Sequence, residues 1–427
     1  AGLMLTGLAL PCIVGKISWS MMASPVNAIV LATFVAMVVL MHLLRKRVYA
    51  FQYLSTYHAA IASLSWAVVL TIVMGLTRQA PSSASIGGLM GVLGIEQMLS
   101  AWHFVLVYTW LTLVLGLTIL RVLSQCLSGA KPGKELLRRT PFLLNHLGLF
   151  IAITAATLGN ADMQRLQLQA ELGQPEWRAT PSEHPDSVVE LPLAIQLHEF
   201  TLDEYPPKLM MITNTSGKVL PVGNPQSIVI EDSVASGELL GWQVRVTRSI
   251  EEAAETTVVD SLATGADSVK VDFVPFHSMG YVFAAWVEAD SANVHREGWV
   301  SCGNFMFPFS ALKLGDYASI FMAEREPKRY ASDVTVYVKD GDESGHVAAR
   351  AVIEVNKPLE VEGWKIYQLS FNERLGKWSE YSVFELVRDP WLPGVYVGIF
   401  MMLAGALFMF LGFSSKRNDK QERRTES

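Results

Sequence analysis

Apolar residues run almost unbroken in six places along the chain, 1–14, 28–44, 57–76, 102–123, 142–159 and 391–413, and alternate with polar ones in the long stretch between the last two. At a helical rise of about 1.5 Å per residue, roughly 20 apolar residues cross the ~30 Å hydrocarbon core of a bilayer. Five runs predict spanning helices on that measure, and the first, which contains Pro11 and ends near Lys16, is short. In 161–390 the period is two. Trp242, Val244 and Val246 alternate with polar neighbours, as do Val269, Val271 and Phe273, and the stretches DVTVYV, AVIEV and WKIYQLS repeat the pattern. That period, with β-branched and aromatic residues, predicts half-buried antiparallel strands. Turn clusters at Asn214-Thr215-Ser216-Gly217 and Asp340-Gly341-Asp342 separate them. The expected fold is an α-helical polytopic membrane bundle of about six spans plus a large all-β domain, either a sandwich or an open barrel.

Charge gives the bundle a direction. Arg45, Lys46 and Arg47 follow the second run, Lys131, Lys134, Arg138 and Arg139 precede the fifth, and Lys416, Arg417, Lys420, Arg423 and Arg424 close the chain. The short loop 81–100 has only Arg78 at its edge. Basic loops stay cytoplasmic, so threading six runs between them puts the N-terminus inside and 161–390 outside, periplasmic in a Gram-negative cell. The expected organisation is an N-terminal membrane domain of five helices (1–160), an extracytoplasmic β-rich domain (161–390), a C-terminal transmembrane helix (391–413) and a basic cytoplasmic tail (414–427), in the cytoplasmic (inner) membrane. No basic region precedes the first run, so no cleavable signal peptide is read there. The missing initiator Met implies a trimmed or processed N-terminus.

Composition agrees with this division: 51% of the 427 residues are hydrophobic and 17% charged, a membrane protein's balance with a sizeable soluble part. The outer segment holds 19 Lys and Arg against 35 Asp and Glu, net −16, and the rest 15 against 5, net +10. Such acidity argues against nucleic acid and against lying flat on anionic lipid, and it also serves solubility alone. Cys302 is the single outer cysteine, with Cys12 and Cys126 in or beside membrane helices. No intradomain disulfide can form outside, and the absence of C-x-x-C excludes a thioredoxin-type oxidoreductase and a c-type cytochrome. No G-x-S-x-G, H-E-x-x-H, phosphate loop or dinucleotide fingerprint occurs. The outer histidines His184, His198, His277, His295 and His346 lack metal-ligand spacing, and His198, on an expected strand, suits a fixed polar partner.

Several stretches over nearly the whole chain carry a resemblance. LPLAIQLHEFTLDEYPPKLMM (191–211), VIEVNKPLEVEGWKIYQLSF (352–371), FELVRDPWLPGVYVGIFMMLAG (384–405) and the His-bearing NHLGLF just before the outer domain together resemble the ResB family, also called CcsB, of cytochrome c biogenesis proteins, in its unfused form. The resemblance implies System II cytochrome c maturation. A CcsA/ResC-like membrane partner would help carry haem b, bound transiently and shared, to an apocytochrome c with a reduced Cys-x-x-Cys-His. The partner carries the Trp-rich haem motif, which is not found among the 11 Trp here, so the chain is not expected to be an enzyme alone. The spans ahead of the outer domain exceed the family's three, and the resemblance assigns nothing to residues 1–76. Asn356, Pro358, Tyr367 and Gln368 are expected to be structural, Pro358 because it cannot donate to a strand ladder.

His146 is the candidate site residue. No Lys, Arg, Asp or Glu lies between Pro141 and Gly159, and an ionisable group at that depth is costly unless it has a partner or a task. From the residues alone, interhelical hydrogen bonding and function both remain open. The resemblance implies that His146 is a haem axial ligand, about 8 Å from Pro141 at the cytoplasmic end of its helix. Gly148, Ala152, Ala156 and Gly159 offer a small-residue packing face some 200° from His146. His42 and His58 flank the cytoplasmic loop and suit structural or headgroup contacts. His103 suits an interface anchor at the outer face, with an outer haem contact conceivable. The stretch 88–102 reads as a short helix on the outer surface. The rival functions are a membrane-anchored polypeptide-binding receptor or scaffold without haem handling and a small-molecule transporter. A transporter is disfavoured because few polar groups and no paired broken helices interrupt the runs.

Overall fold

A computed structural model of the chain describes all residues except 1, 16, 81–87, 129–131, 183–185, 232–234, 260–268, 293, 341–343, 426 and 427. Lys16, Lys131, His184 and the Gly341-Asp342 turn thus lie outside the described residues, as do most of the 81–100 loop's first half. The chain forms two compact units, Ala1–Arg165 with Val387–Ser427, and Leu166–Leu386.

The first unit is helical: α1 (Gly2–Ala9), α2 (Pro11–Val14), α3 (Val26–Leu44), α4 (Tyr49–Leu54), α5 (Tyr57–Leu76), α6 (Gly88–Leu93), α7 (Trp102–Leu127), α8 (Pro132–Gly159) and α9 (Leu392–Thr425). Among the described residues five helices are long and apolar enough to cross a membrane: α3, α5, α7, α8 from Glu135 and α9 as far as Leu411. They turn apolar side chains outward, with Leu40, Ile61, Leu403 and Phe410 all exposed, the reverse of a helix that faces water. The first run differs from the other five. It breaks at Pro11, and the eight residues of α1 reach only about 12 Å. Here α1 packs on the start of α7, with Gly7 directly against the His103 backbone.

The α8–α9 pair is packed through small residues. A Cβ at Gly398 would lie 2.5 Å from the Gly148 carbonyl oxygen, one at Gly148 would lie 2.6 Å from the Gly398 carbonyl oxygen, and Gly394 faces Ala155. Gly159 abuts Trp391. The observed stripe on α8 is therefore Gly148, Ala152, Ala155 and Gly159, with Ala155 buried, whereas Ala156, expected on this face, is exposed. At 100° per residue Ala155 falls about 20° from Gly148 and Ala156 about 80°. Where the described part of the first unit leaves α8, Asp162 fastens three elements: its carboxylate accepts from the Ser24 backbone N–H at 2.7 Å, Asn27 Nδ2 at 2.7 Å and Trp391 Nε1 at 2.7 Å. Those bonds, Asn27's first, hold its pKa below the usual Asp range against a smaller desolvation effect.

The second unit is built from β1 (Gln164–Glu171), β2 (Pro175–Pro181), β3 (Val189–Glu204), β4 (Lys208–Thr213), β5 (Val219–Leu220), β6 (Ile228–Val229), β7 (Ala235–Leu239), β8 (Trp242–Val259), β9 (Val269–Pro275), β10 (Val282–Ser291), β11 (Val294–Ser301), β12 (Leu312–Lys313), β13 (Ala318–Met322), β14 (Pro327–Asp340), β15 (Ser344–Glu354), β16 (Leu359–Val361), β17 (Trp364–Phe371) and β18 (Tyr381–Arg388). Each sequence stretch read as a strand is one. An eight-stranded sheet runs β15-β14-β3-β2-β1-β18-β17-β16 and curls until β15 packs on β16 and β17, an incompletely closed barrel. Its core is filled by alternate residues: Leu191, Leu193, Ile195 and Leu197 of β3, Trp364 and Ile366 of β17, Phe384 and Leu386 of β18. Two five-stranded sheets, β11-β10-β8-β7 with β9 on β8, and β12-β13-β4-β5 with β6 on β4, enclose a second core. The long strand β3 leads out of the first half into the second and its partner β14 leads back, which places a junction where they pass.

The turn chemistry is local. Glu362 and Gly363 both have positive φ and join Val361 to its partner Trp364, a two-residue hairpin of the type that matches strand twist. Asn356, at φ 63°, occupies the left-handed region that Asn tolerates, in the turn between β15 and β16. Gln368 is buried and donates to the Ser370 carbonyl at 3.0 Å. Val271 is exposed, unlike Phe273 two residues on in the same strand β9.

Candidate functional site

His146 lies on the second turn after Pro141, inside α8. Proline has no N–H and its ring disturbs the preceding turn, and the two residues four places beyond Pro141 and Phe142 put side-chain donors on those carbonyls. Asn145 Nδ2 donates to the Pro141 oxygen at 3.0 Å, and His146 Nδ1 is 2.9 Å from the Phe142 oxygen. A carbonyl only accepts, so Nδ1 carries a proton and donates to it. The Phe142 ring stacks on the imidazole, with centroids 3.7 Å apart and planes 24° from parallel. Ring and hydrogen bond together fix the rotamer.

The helix face decides what His146 can meet. Asn145 backs onto Gly405 of α9, and His146 is turned about 100° away from it. One turn further along the His146 stripe, Phe150 stacks with Phe34 of α3 at 6.4 Å and lies where a Cβ on Gly116 of α7 would reach 3.1 Å from it. Among the described residues no hydrogen-bond partner is found for Nε2. A half-buried imidazole held through Nδ1 on a carbonyl, with Nε2 left without a protein partner among the described residues, is the arrangement of a metal-ligating histidine, whose second nitrogen donates to a carbonyl. The donor set fits haem iron, which takes neutral imidazole axially.

The other histidines are engaged differently. His103 is 4% exposed and its Nε2 lies 3.3 Å from Met98 Sδ; it is a buried packing residue under α1, not the interface anchor expected. The stretch around it is two short helices, α6 and a 3-10 turn Ile95–Ser100, broken at Gly94 in the left-handed region, with Gln97 and Met98 buried in the bundle. It folds inward because Gln79 Oε1 accepts from the Met98 N–H at 3.1 Å. His42 contacts Arg45, whose guanidinium also reaches Ser124 Oγ at 3.5 Å, and the His58 ring lies tilted against Tyr57, centroids 3.9 Å apart. In the second unit His198 Nε2 bonds Thr335 Oγ1 at 2.7 Å across β3 and β14, the fixed partner expected of it, although on the outer face. His277 pairs with Glu252 at 2.5 Å and His295 with Asp290 at 2.6 Å. These three stand apart, each with its own partner.

Family comparison then decides the lineage. The model of the ResB-like family matches residues 130–379, more than half of the chain, from the start of α8 through β17. The chain belongs to the ResB-like family. A comparison with curated proteins gives no match. Membership places this ResB-like chain in cytochrome c biogenesis, as a component and not a stand-alone enzyme, and its five long apolar helices make it a membrane protein. The match takes in His146 and leaves out α1 to α7.

Proposed function

We propose that this ResB-like protein is the subunit of a System II cytochrome c maturation complex that helps carry haem outward across the cytoplasmic membrane and presents it beside apocytochrome c for thioether attachment. The observation that carries the reading is the His146 imidazole held through Nδ1 on the Phe142 carbonyl at 2.9 Å, which leaves Nε2 as the nitrogen open to a ligand. Haem is the cargo, and its iron offers two axial positions. His146 takes one, and a histidine of a CcsA/ResC-like partner takes the other, so the site is shared and the ligand is released as the cargo passes on. Phe142 shields one face of the imidazole and keeps it from rotating into a hydrogen bond with a neighbouring helix.

The basic segments support an orientation with the His146 end of α8 toward the cytoplasm and the β domain outside: Arg45, Lys46 and Arg47 follow α3, and Arg138 and Arg139 precede His146. An intake ligand belongs on the side where haem is made. The test is the absorption spectrum of the protein purified with its partner. A low-spin bis-imidazole haem, at one per complex and absent from the ResB-like chain purified alone, is expected. A complex that matures cytochrome c yet never copurifies haem would contradict the reading.

A further inference from the structure

At the junction of the two β halves a cleft of about 1030 Å³ opens, entirely within the second unit. Its walls come from segments far apart in sequence: the end of β3, the start of β10, the loop after β11, the segment between β13 and β14, and the turn after β17. The volume is at the upper end for small-ligand pockets. One wall is a set of aromatic rings. Tyr281 and Trp378 meet edge to face at 5.0 Å, Phe305 meets Trp378 at 5.9 Å, and Tyr330 lies 5.0 Å from Phe371.

The loop that presents Phe305 is locked. Asn304 Nδ2 donates to the Gly280 and Tyr281 carbonyls at 2.7 and 3.0 Å, and its Oδ1 accepts from the Met306 and Phe307 N–H groups at 2.8 and 3.0 Å. A side chain at Gly303, at φ 68°, would meet the Phe309 backbone nitrogen at 2.5 Å, so the loop needs glycine there. This is a preformed wall.

Set into it is the Lys377 ammonium, 3.6 Å from the Tyr281 ring centroid and 4.8 Å from that of Trp378. It is half-buried, and among the described residues it makes no hydrogen bond or ion pair, although an ammonium carries three donors. Burial pulls its pKa below the usual lysine range; Glu204 and Glu252 oppose that and Arg325 adds to it. Five glutamates line the cleft, Glu204, Glu251, Glu324, Glu326 and Glu373, beside Arg325, Arg374 and Lys377; Glu204 is committed to Arg325 at 3.3 Å and Glu326 to Lys208 at 3.4 Å. Cys302 also lines the cleft, with burial raising its pKa, so it remains a neutral thiol. The chemistry wanted is an acceptor for Lys377 attached to a broad aromatic surface.

We propose that this cleft binds a porphyrin, with one ring carboxylate on the Lys377 ammonium and the macrocycle against Tyr281, Trp378 and Phe305. The choice of ligand within the class of large aromatic carboxylates rests on the haem reading above; the cleft and its unpaired cation do not. The site would be a second station in the β domain, and it differs from His146 in needing no iron.

That difference supplies the test. The full-length protein in detergent is titrated with iron-free protoporphyrin IX, and bound porphyrin is read by its fluorescence. One saturable site per chain is expected. Lys377→Met should weaken binding about tenfold, the effect of losing one charge-assisted hydrogen bond, while Lys377→Arg holds it within about threefold and His146→Ala leaves it unchanged. The dimethyl ester of the porphyrin, tested on unaltered protein, should show the same tenfold loss with no risk to folding. Equal affinity for the free acid and the ester, or unchanged binding by a folded Lys377→Met protein, would overturn the proposal. So would loss of the site in His146→Ala, which would assign the porphyrin to the membrane helix and leave the His146 reading standing. Failure of the His146 reading, in turn, would leave the iron-free titration as it is.

Discussion

Replacing Gly398 by Ala tests how the His146 helix is held. The new Cβ would sit 2.5 Å from the Gly148 carbonyl oxygen, 2.7 Å from the Ala152 nitrogen and 2.8 Å from the Ala152 Cβ. Carbon contacts settle at about 3.5–4.0 Å, so the shortfall is roughly 1 Å, and the atoms in the way are mostly backbone, which cannot swing aside. The helices α8 and α9 must separate. A gap of about 0.5–1 Å forfeits a quarter to a half of each dispersion contact along the seam, and overpacking of this kind costs about 1–3 kcal/mol. Two other glycines grade the effect. At Gly394 the nearest atom is Ala155 Cβ at 3.2 Å, which a small tilt relieves, so Gly394→Ala should cost less than ~1 kcal/mol. At Gly75 nothing lies within 4 Å, and Gly75→Ala should be neutral or stabilising by up to ~1 kcal/mol, since Ala is the better helix former. Thermal unfolding midpoints in detergent, with membrane abundance beside them, should rank Gly75→Ala at or above the unaltered protein, then Gly394→Ala, then Gly398→Ala. Equal midpoints for Gly398→Ala and Gly75→Ala would refute the close α8–α9 contact.

Asp162→Ala removes three hydrogen bonds that tie α3, α8 and α9 and leaves Asn27, which is fully buried, short of a partner; a loss of about 1–3 kcal/mol is expected in the same melt. The sign of its pH dependence follows from the lowered pKa. The contribution is fully present above the ordinary Asp range and disappears as pH falls through the lower folded-state value, so the midpoint should drop on acidification below about pH 4, and Asp162→Asn should flatten that part of the curve. Asn356→Ala, which forces a left-handed residue at φ 63°, should destabilise by about 1–2 kcal/mol while Asn356→Gly stays near neutral; equal midpoints for the two would remove the backbone from the explanation.

The pattern of apolar and polar positions carries much of this fold because both of its periods are strong. Residues 28–44, 57–76, 102–123 and 142–159 each became a helix, and the strands of 161–390 alternate as Leu191, Leu193, Ile195 and Leu197 do. The first run is short in the structure as in the sequence: Pro11 divides it, and α1 packs over the start of α7. Ala155 and Ala156 are adjacent and identical in kind, so only the helical phase set by Gly148 and Gly159 separates them. His103 looked interfacial from its neighbour Trp102, and was covered instead by α1 through Gly7, a contact between residues 96 positions apart that no local pattern encodes. His146 could be found because a charge-poor run makes one imidazole conspicuous, but the Nδ1 bond that fixes its tautomer needs the helix to exist. The junction cleft was illegible for the same reason in stronger form. Lys377, Tyr281 and Phe305 are brought together only by the crossing of β3 and β14 between two cores, and each residue alone is ordinary.

The central claim is that Nε2 of His146 is a haem ligand, and His146→Ala with and without imidazole tests it most directly. Alanine keeps the helix and leaves the Gly148, Ala152, Ala155 and Gly159 seam untouched, so the protein should accumulate normally and keep its partner. Haem copurified with the complex should nevertheless fall and cytochrome c assembly should stop. Imidazole in the medium, small enough to fill the vacated ligand position, should restore part of both. A stable His146→Ala protein with normal haem content and normal cytochrome c assembly would contradict the account.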